Sequence, residues 1–184
     1  MARTKVIVIN GAPQSGKDTF VHLASEYCEM NEYANVLNLS SVDPIKNTLA
    51  RFGWDGEKTD EVRNIIASIK QIWISAQNGP TMFMMNNIIQ FHIAHVGEDN
   101  IIFCHVREPD EIKKLVNAIS GMDTMGIDIK TMYIIRKGNN PDSTCSSDNP
   151  LLIRDYIYDI YIYNNGDLAQ YDAKVCEFID KILD

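Results

Sequence analysis

Residues 11–19 read Gly-Ala-Pro-Gln-Ser-Gly-Lys-Asp-Thr and stand between an apolar run at 5–9 (KVIVI) and a helix-like segment at about 17–31. The spacing G-x-x-x-x-G-K in a strand–turn–helix setting restricts the chain more than any other feature. Gly11 and Gly16 let the backbone wrap tightly enough for successive N–H groups to face anionic oxygens, and the following helix adds its positive end. Lys17 supplies a mobile positive charge for terminal phosphates. The whole segment, Gly11, Ala12, Pro13, Gln14, Ser15, Gly16, Lys17, Asp18 and Thr19, is the expected binding loop for a nucleoside triphosphate.

Such a loop needs a strand behind it and a sheet around that strand. Four further β-branched or aromatic runs supply one, at 35–39 (NVLNL), 101–106 (IIFCHV), 131–136 (TMYIIR) and 159–163 (DIYIY). They are too continuously apolar for a sheet with one wet face, so they read as buried parallel strands. Helix-like segments at about 17–31, 44–52, 58–77, 81–96, 109–119 and 168–183 alternate with them, which predicts an α/β fold with helices on both faces of a five-stranded parallel sheet. About sixty residues separate the second and third strands, more than one crossover helix requires, so 41–97 reads as a helical insertion. The polar stretch 137–155, rich in turn formers at its start, reads as a lid-like segment after the fourth strand.

The composition fits one compact domain over 1–184: 45% of residues are hydrophobic, and a chain this long buries roughly 70% of its unfolded surface without covalent staples. The formal net charge is −8, of which residues 93–184 carry −7, so an anionic ligand belongs in the N-terminal half. No basic tract suits a nucleic acid polymer, no apolar run reaches membrane-spanning length, and Cys28, Cys104, Cys145 and Cys176 form no C-x-x-C pair. A reducing cytoplasm is the expected compartment.

Asp18 stands where Ser or Thr commonly helps hold Mg²⁺, with a hydroxyl one position later at Thr19. With this departure the pattern G-x-x-x-S-G-K-D-T resembles the P-loop nucleoside monophosphate kinase group, in particular phage-type deoxynucleoside monophosphate kinases and the similar phosphomevalonate kinases. The likeness continues through Ser40-Ser-Val-Asp-Pro-Ile-Lys46, through Val106-Arg107-Glu108, through Ile135-Arg136 with the polar stretch after it, and through the last strand ending in Asn-Asn-Gly166. The resemblance implies a P-loop NTPase fold and phosphoryl transfer from ATP, with Mg²⁺, onto a small phosphorylated acceptor, giving ADP and a nucleoside diphosphate. It also implies that the segment opening at Ser40 borders the acceptor, which assigns Asp43 and Lys46 there. One position departs again: an Asp commonly precedes the Val-Arg pair, and here it is His105, a poor Mg²⁺ partner. The metal is then expected on Asp18 and Thr19, together with nucleotide oxygens and water.

Phosphoryl transfer between two polyanions needs cations converging on one cleft. Lys17, Arg107 at the end of the third strand and Arg136 at the start of the lid-like stretch are the expected catalytic cations, because open α/β sheets place ligands at the carboxyl ends of their strands. In the insertion, Arg63 and Lys70 lie two turns apart and about 20° around a helix axis, on one flank of a stripe of Val62, Ile65, Ile66, Ile69, Trp73 and Ala76, and are assigned to the acceptor. His92 and His95 read as core-edge histidines rather than metal ligands, and the Met-rich run 81–85 as core filling or a subunit contact, which leaves a homodimer open. Two alternatives stand beside the main reading: a kinase of another small phosphate such as phosphomevalonate, and a nucleotide-binding sensor without catalysis, which His105 and the short lid suggest.

Overall fold

Alternate residues of a strand face opposite sides of its sheet. In the run Val6-Ile7-Val8-Ile9 every one of them is buried, so that strand must be covered on both sides. A computed structural model, describing residues 3–57, 59–122, 125–138 and 156–184, shows how. The run forms β1 (Thr4–Gly11), with β2 (Asn35–Ser40), β3 (Asn100–His105), β4 (Ile127–Ile135) and β5 (Ile160–Tyr163) in one sheet of order β2-β3-β1-β4-β5. All pairings are parallel. β4 begins earlier than its apolar run, at Ile127, because Asp128 lies opposite Lys5 on β1 and the two side chains pair at 3.1 Å.

Six helices lie among the described residues: α1 (Lys17–Met30), α2 (Asp43–Arg51), α3 (Asp60–Gln77), α4 (Gly79–Ala94), α5 (Pro109–Ser120) and α6 (Leu168–Leu183). Ile7 and Ile9 pack with Phe20 and Val21 of α1 and Val175 and Ile179 of α6. Val6 and Val8 pack with Met84 and Ile88 of α4 and Ile112 and Leu115 of α5. Phe20 sits at the middle of the first layer, edge-on to Phe103, Tyr171 and Phe178. Ordinary end signals bound the helices. Thr59 and Asp167 cap α3 and α6 through their side chains, and Pro44, Pro80 and Pro109 occupy first turns, where no intrahelical donor is lost.

The insertion between β2 and β3 consists of α2, α3 and α4. Its middle helix departs from the sequence expectation. The apolar stripe of α3 is not its buried face: Ile65 and Ile69 are exposed, Val62, Ile66 and Trp73 are half-buried, and the fully buried residue is Lys70, 4% exposed. A buried ammonium needs a partner, and Lys70 has one in Glu108, at the start of α5. The α3–α4 corner turns on Asn78, in the left-handed conformation, and on Gly79, whose backbone is pressed against the Trp73 indole.

A methyl group on Gly79 would collide with that ring. Gly79→Ala is expected to cost about 1–3 kcal/mol, the range for overpacking a filled site, and to shift Trp73 emission. Urea denaturation of the two proteins, followed by circular dichroism and fluorescence, checks both.

Candidate functional site

β1 ends at Gly11 and α1 begins at Lys17, so the loop between them lies at the carboxyl edge of the central strand. Its glycines are required by contact as well as by conformation. A Cβ on Gly11 would sit 2.6 Å from the Ile134 carbonyl oxygen and 2.7 Å from Ser15 Oγ, and Gly16 has φ +99° with the Asn164 amide against it. The loop is braced from behind. Asn164 Nδ2 donates to the Ser15 carbonyl at 2.9 Å, the Tyr171 hydroxyl donates to the Gly16 carbonyl at 3.1 Å, and the Gly11 N–H donates to Asn10 Oδ1 at 2.8 Å. Burial raises the Tyr171 hydroxyl pKa, which keeps it a donor. In front, Lys17 Nζ donates to the carbonyls of Gly11 at 2.7 Å and Ala12 at 2.8 Å. Ser15 Oγ is fully buried and has no hydrogen-bond partner among the described residues. A hollow with a buried hydroxyl lacking a partner, a lysine at its rim and a helix N-terminus at its base suits a phosphate.

The register of the sheet decides what stands beside this hollow. Ile9 pairs with His105 and Gly11 with Ile134, so the ends of β3 and β4 flank it, and Arg107 and Arg136 follow those ends as exposed side chains. Asn10 ties the neighbours together, its Nδ2 donating to the Arg107 carbonyl at 2.9 Å and to the Tyr158 hydroxyl at 2.8 Å. On the β2 side, the Ser41 N–H donates to the His105 carbonyl at 3.1 Å, bringing in the start of α2. There Asp43 accepts the Ser40 N–H at 2.7 Å and pairs with Lys46 at 3.3 Å.

His105 is the centre of this group. Burial pushes its imidazole down to about 4; Asp18 opposes the shift, Lys17 and Lys46 strengthen it, and Asp43 opposes it. Lys17, Asp18, Asp43 and Lys46 therefore all act on one neutral ring. The two insertion cations do not share a partner: Lys70 is buried on Glu108, next to Arg107, whereas Arg63 pairs with Asp60 of its own helix at 3.2 Å and is half exposed. Of the lid-like stretch 137–155, only Lys137 and Gly138 fall among the described residues, the Lys137 N–H donating to Asn165 Oδ1 at 2.7 Å. The remainder, with Cys145, lies outside them. His92 bonds Thr4 Oγ1 through Nδ1 at 2.8 Å and His95 lies on Phe91, both in core-edge positions.

No group of three or more His, Cys, Asp or Glu side chains among the described residues could cage a metal. Asp18 and Thr19 project from the exposed first turn of α1, and one carboxylate with one hydroxyl fits Mg²⁺, which keeps several waters and takes much of its shell from phosphate oxygens. Asp43 has its two oxygens engaged within its own turn. Asn10 and Tyr171 carry no motif of their own, and Asn164 falls in the Asn-Asn-Gly166 end of the last strand with no role assigned to it. The two asparagines could have been suspected as polar residues closing apolar strands at their carboxyl ends, while Tyr171 sits on an unexceptional helix and gave no signal.

Similar solved structures include a mutant of the APS kinase of Mycobacterium tuberculosis, 14% identical with a TM-score of 0.50 over 100% of each chain. The protein APE1195 is 15% identical with a TM-score of 0.51, over 100% of this chain and 99% of that one. No protein-family model matches the chain, and no curated protein matches it. The fold is that of P-loop NTPases.

Two outcomes follow from the geometry. Asn164→Ala removes the brace behind the loop and leaves the Ser15 carbonyl without that donor, so it should cost about 1–3 kcal/mol in urea denaturation. The second concerns pH. An unfolded histidine takes its proton near 6.5 and folded His105 near 4, so between these values the unfolded state binds more protons and stability falls as the pH falls. The share of His105 is about 3 kcal/mol at most, and His105→Gln should flatten the stability curve between pH 6.5 and 4.5; a curve of unchanged slope would assign the loss to other groups.

Proposed function

We propose that this chain is an ATP-dependent kinase that transfers the γ-phosphoryl group to a (deoxy)nucleoside monophosphate. The observation that carries the reading is the hollow formed by residues 11–19, in which the buried Ser15 Oγ lacks a partner and Lys17 Nζ rests on two loop carbonyls. Lys17 Nζ would exchange these carbonyls for phosphate oxygens, and Ser15 Oγ would gain in a phosphate the acceptor it lacks. The acceptor half of the reading is supported by the cations at the same edge, with Arg107 and Arg136 on either side of the loop and Lys46 beside His105.

In this mechanism Lys17 leaves the Gly11 and Ala12 carbonyls to neutralise charge on the transferring group, while the loop N–H groups and Ser15 Oγ hold the adjacent phosphate. Arg107 and Arg136 orient the two phosphates toward each other, and positioning with charge neutralisation supplies most of the rate. No general base is required, because a phosphate acceptor is already ionised near neutral pH. Asp18 and Thr19 would hold Mg²⁺, which when bound supplies further positive charge at the nucleotide oxygens. Lys46 and Asp43 border the acceptor. Arg63 and Lys70 complete its side in different ways: Lys70 as the anchored base of α3, Arg63 as the cation that can turn from Asp60 toward the ligand.

A second reading is favoured by His105. A neutral imidazole in place of a carboxylate offers Mg²⁺ no charge, which suits a sensor that binds the nucleotide without turnover. Two measurements separate the readings. ATP at about 100 times its Kd should stabilise the protein by about 2.7 kcal/mol, and Lys17→Ala should remove most of that shift. ADP formation is then followed with Mg²⁺ over a panel of nucleoside monophosphates and phosphomevalonate. Turnover with a nucleoside monophosphate is the expected result; stabilisation without turnover would leave the sensor, and no stabilisation by ATP would sink both.

A further inference from the structure

From Asn64 to Gly97 the chain carries one charged side chain, Lys70, although 23% of all its residues are charged. Lys70 is buried on Glu108, so the outer face of the α3–α4 hairpin presents no formal charge from this stretch. The face is also apolar. Ile65, Ile69 and Ile72 recur at helical spacing along α3 and are all exposed, Ile72 by 69%. On α4, Met82 and Ile93 lie three turns apart on one side and are exposed, Ile93 by 60%, and exposed Val96 extends their line beyond the helix end. The Trp73 and Phe83 rings, 6.3 Å apart, hold the helices side by side. Lys70 on one helix and Met84 and Ile88 on the other point into the protein, which turns both stripes outward.

We propose that this face pairs with the same face of a second copy of the chain about a twofold axis. On such an axis each residue meets its own twin, so any charge there faces a like charge. A protein of net charge −8 therefore pairs with itself through a face cleared of charge, whereas an acidic or basic partner would be met by charges of the opposite sign. Helices roughly 25 Å long and 10 Å wide, side by side, offer a footprint on the order of 500 Å², which places the dimer among the smaller, reversible interfaces. It would also complete something the single chain lacks. α3 buries one residue, and the second copy would supply the apolar contact that fixes its direction.

Sedimentation velocity of the full chain without nucleotide, from low to high micromolar concentration, tests this. A concentration-dependent monomer–dimer equilibrium is expected. Ile72→Glu and, separately, Ile93→Glu should each raise the dimer Kd at least tenfold, whereas Met30→Glu, at the exposed end of α1, should leave it unchanged. Both stripe positions are at the surface, so thermal unfolding of the variants should stay near that of the parent. A monomer at every concentration, or a dimer indifferent to both stripe variants, overturns the proposal. ATP-dependent stabilisation of the same samples reports separately on the nucleotide site.

Discussion

Asn164 leaves the carboxyl end of β5 and donates its amide to the carbonyl of Ser15, across the width of two strands from the loop's own strand. A loop with a glycine at each end, Gly11 and Gly16, is poorly held by its own backbone, because a glycine has more conformations to lose on ordering than any other residue. Its curvature is held by Asn164, by Tyr171 from α6 and by Asn10 beneath it. These supports belong to the central strand, the edge strand and the last helix, so the hollow exists only once the sheet is complete. That makes the chain's final thirty or so residues as necessary to the loop as the loop's own sequence.

The fold was legible because its signals are local. Five apolar runs became five strands, and helix limits fell within a residue or two of Thr59, Pro109, Asp167 and other end signals. The loop between β1 and α1 was legible in its conformation for the same reason, as a contiguous motif with a stated backbone requirement. What could not be read was anything set by a distant partner. Lys70 reads in the sequence as an acceptor-side cation on the flank of an amphipathic helix, and α3 turns that flank inward because Glu108, thirty-eight residues later, supplies the compensating charge. A helical period identifies an apolar side; it does not say whether the protein beneath that side is apolar. The same limit hid Asn10, whose fork to Arg107 and Tyr158 joins three parts of the chain.

The electrostatics of the site follow from burial more than from the number of charges. His105 is surrounded by two lysines and two aspartates, whose influences oppose one another, and desolvation decides the outcome in favour of the neutral ring. The carbonyl of the same residue accepts from Ser41, which fixes where α2 begins and hence where Asp43 and Lys46 stand. His105 thus shapes the cleft through its backbone and sets its polarity through its side chain. A substitution there would leave the backbone contact in place while changing the polarity at the centre of the group.

Asn78 closes α3 and opens α4 as a single residue, with Gly79 against Trp73 directly after it. Inserting or deleting one residue on either side would turn one helix by about 100° against the other. Lys70 would swing away from Glu108, and the rings of Trp73 and Phe83 would part. A change of chain length is thereby costly at this corner and less so in the segment between α2 and α3. There Gly53 and Gly56 both adopt positive φ, and a Cβ added to either would meet open space. A change of length therefore costs the insertion less at its entrance than at its hinge, which acts mechanically as one indivisible unit.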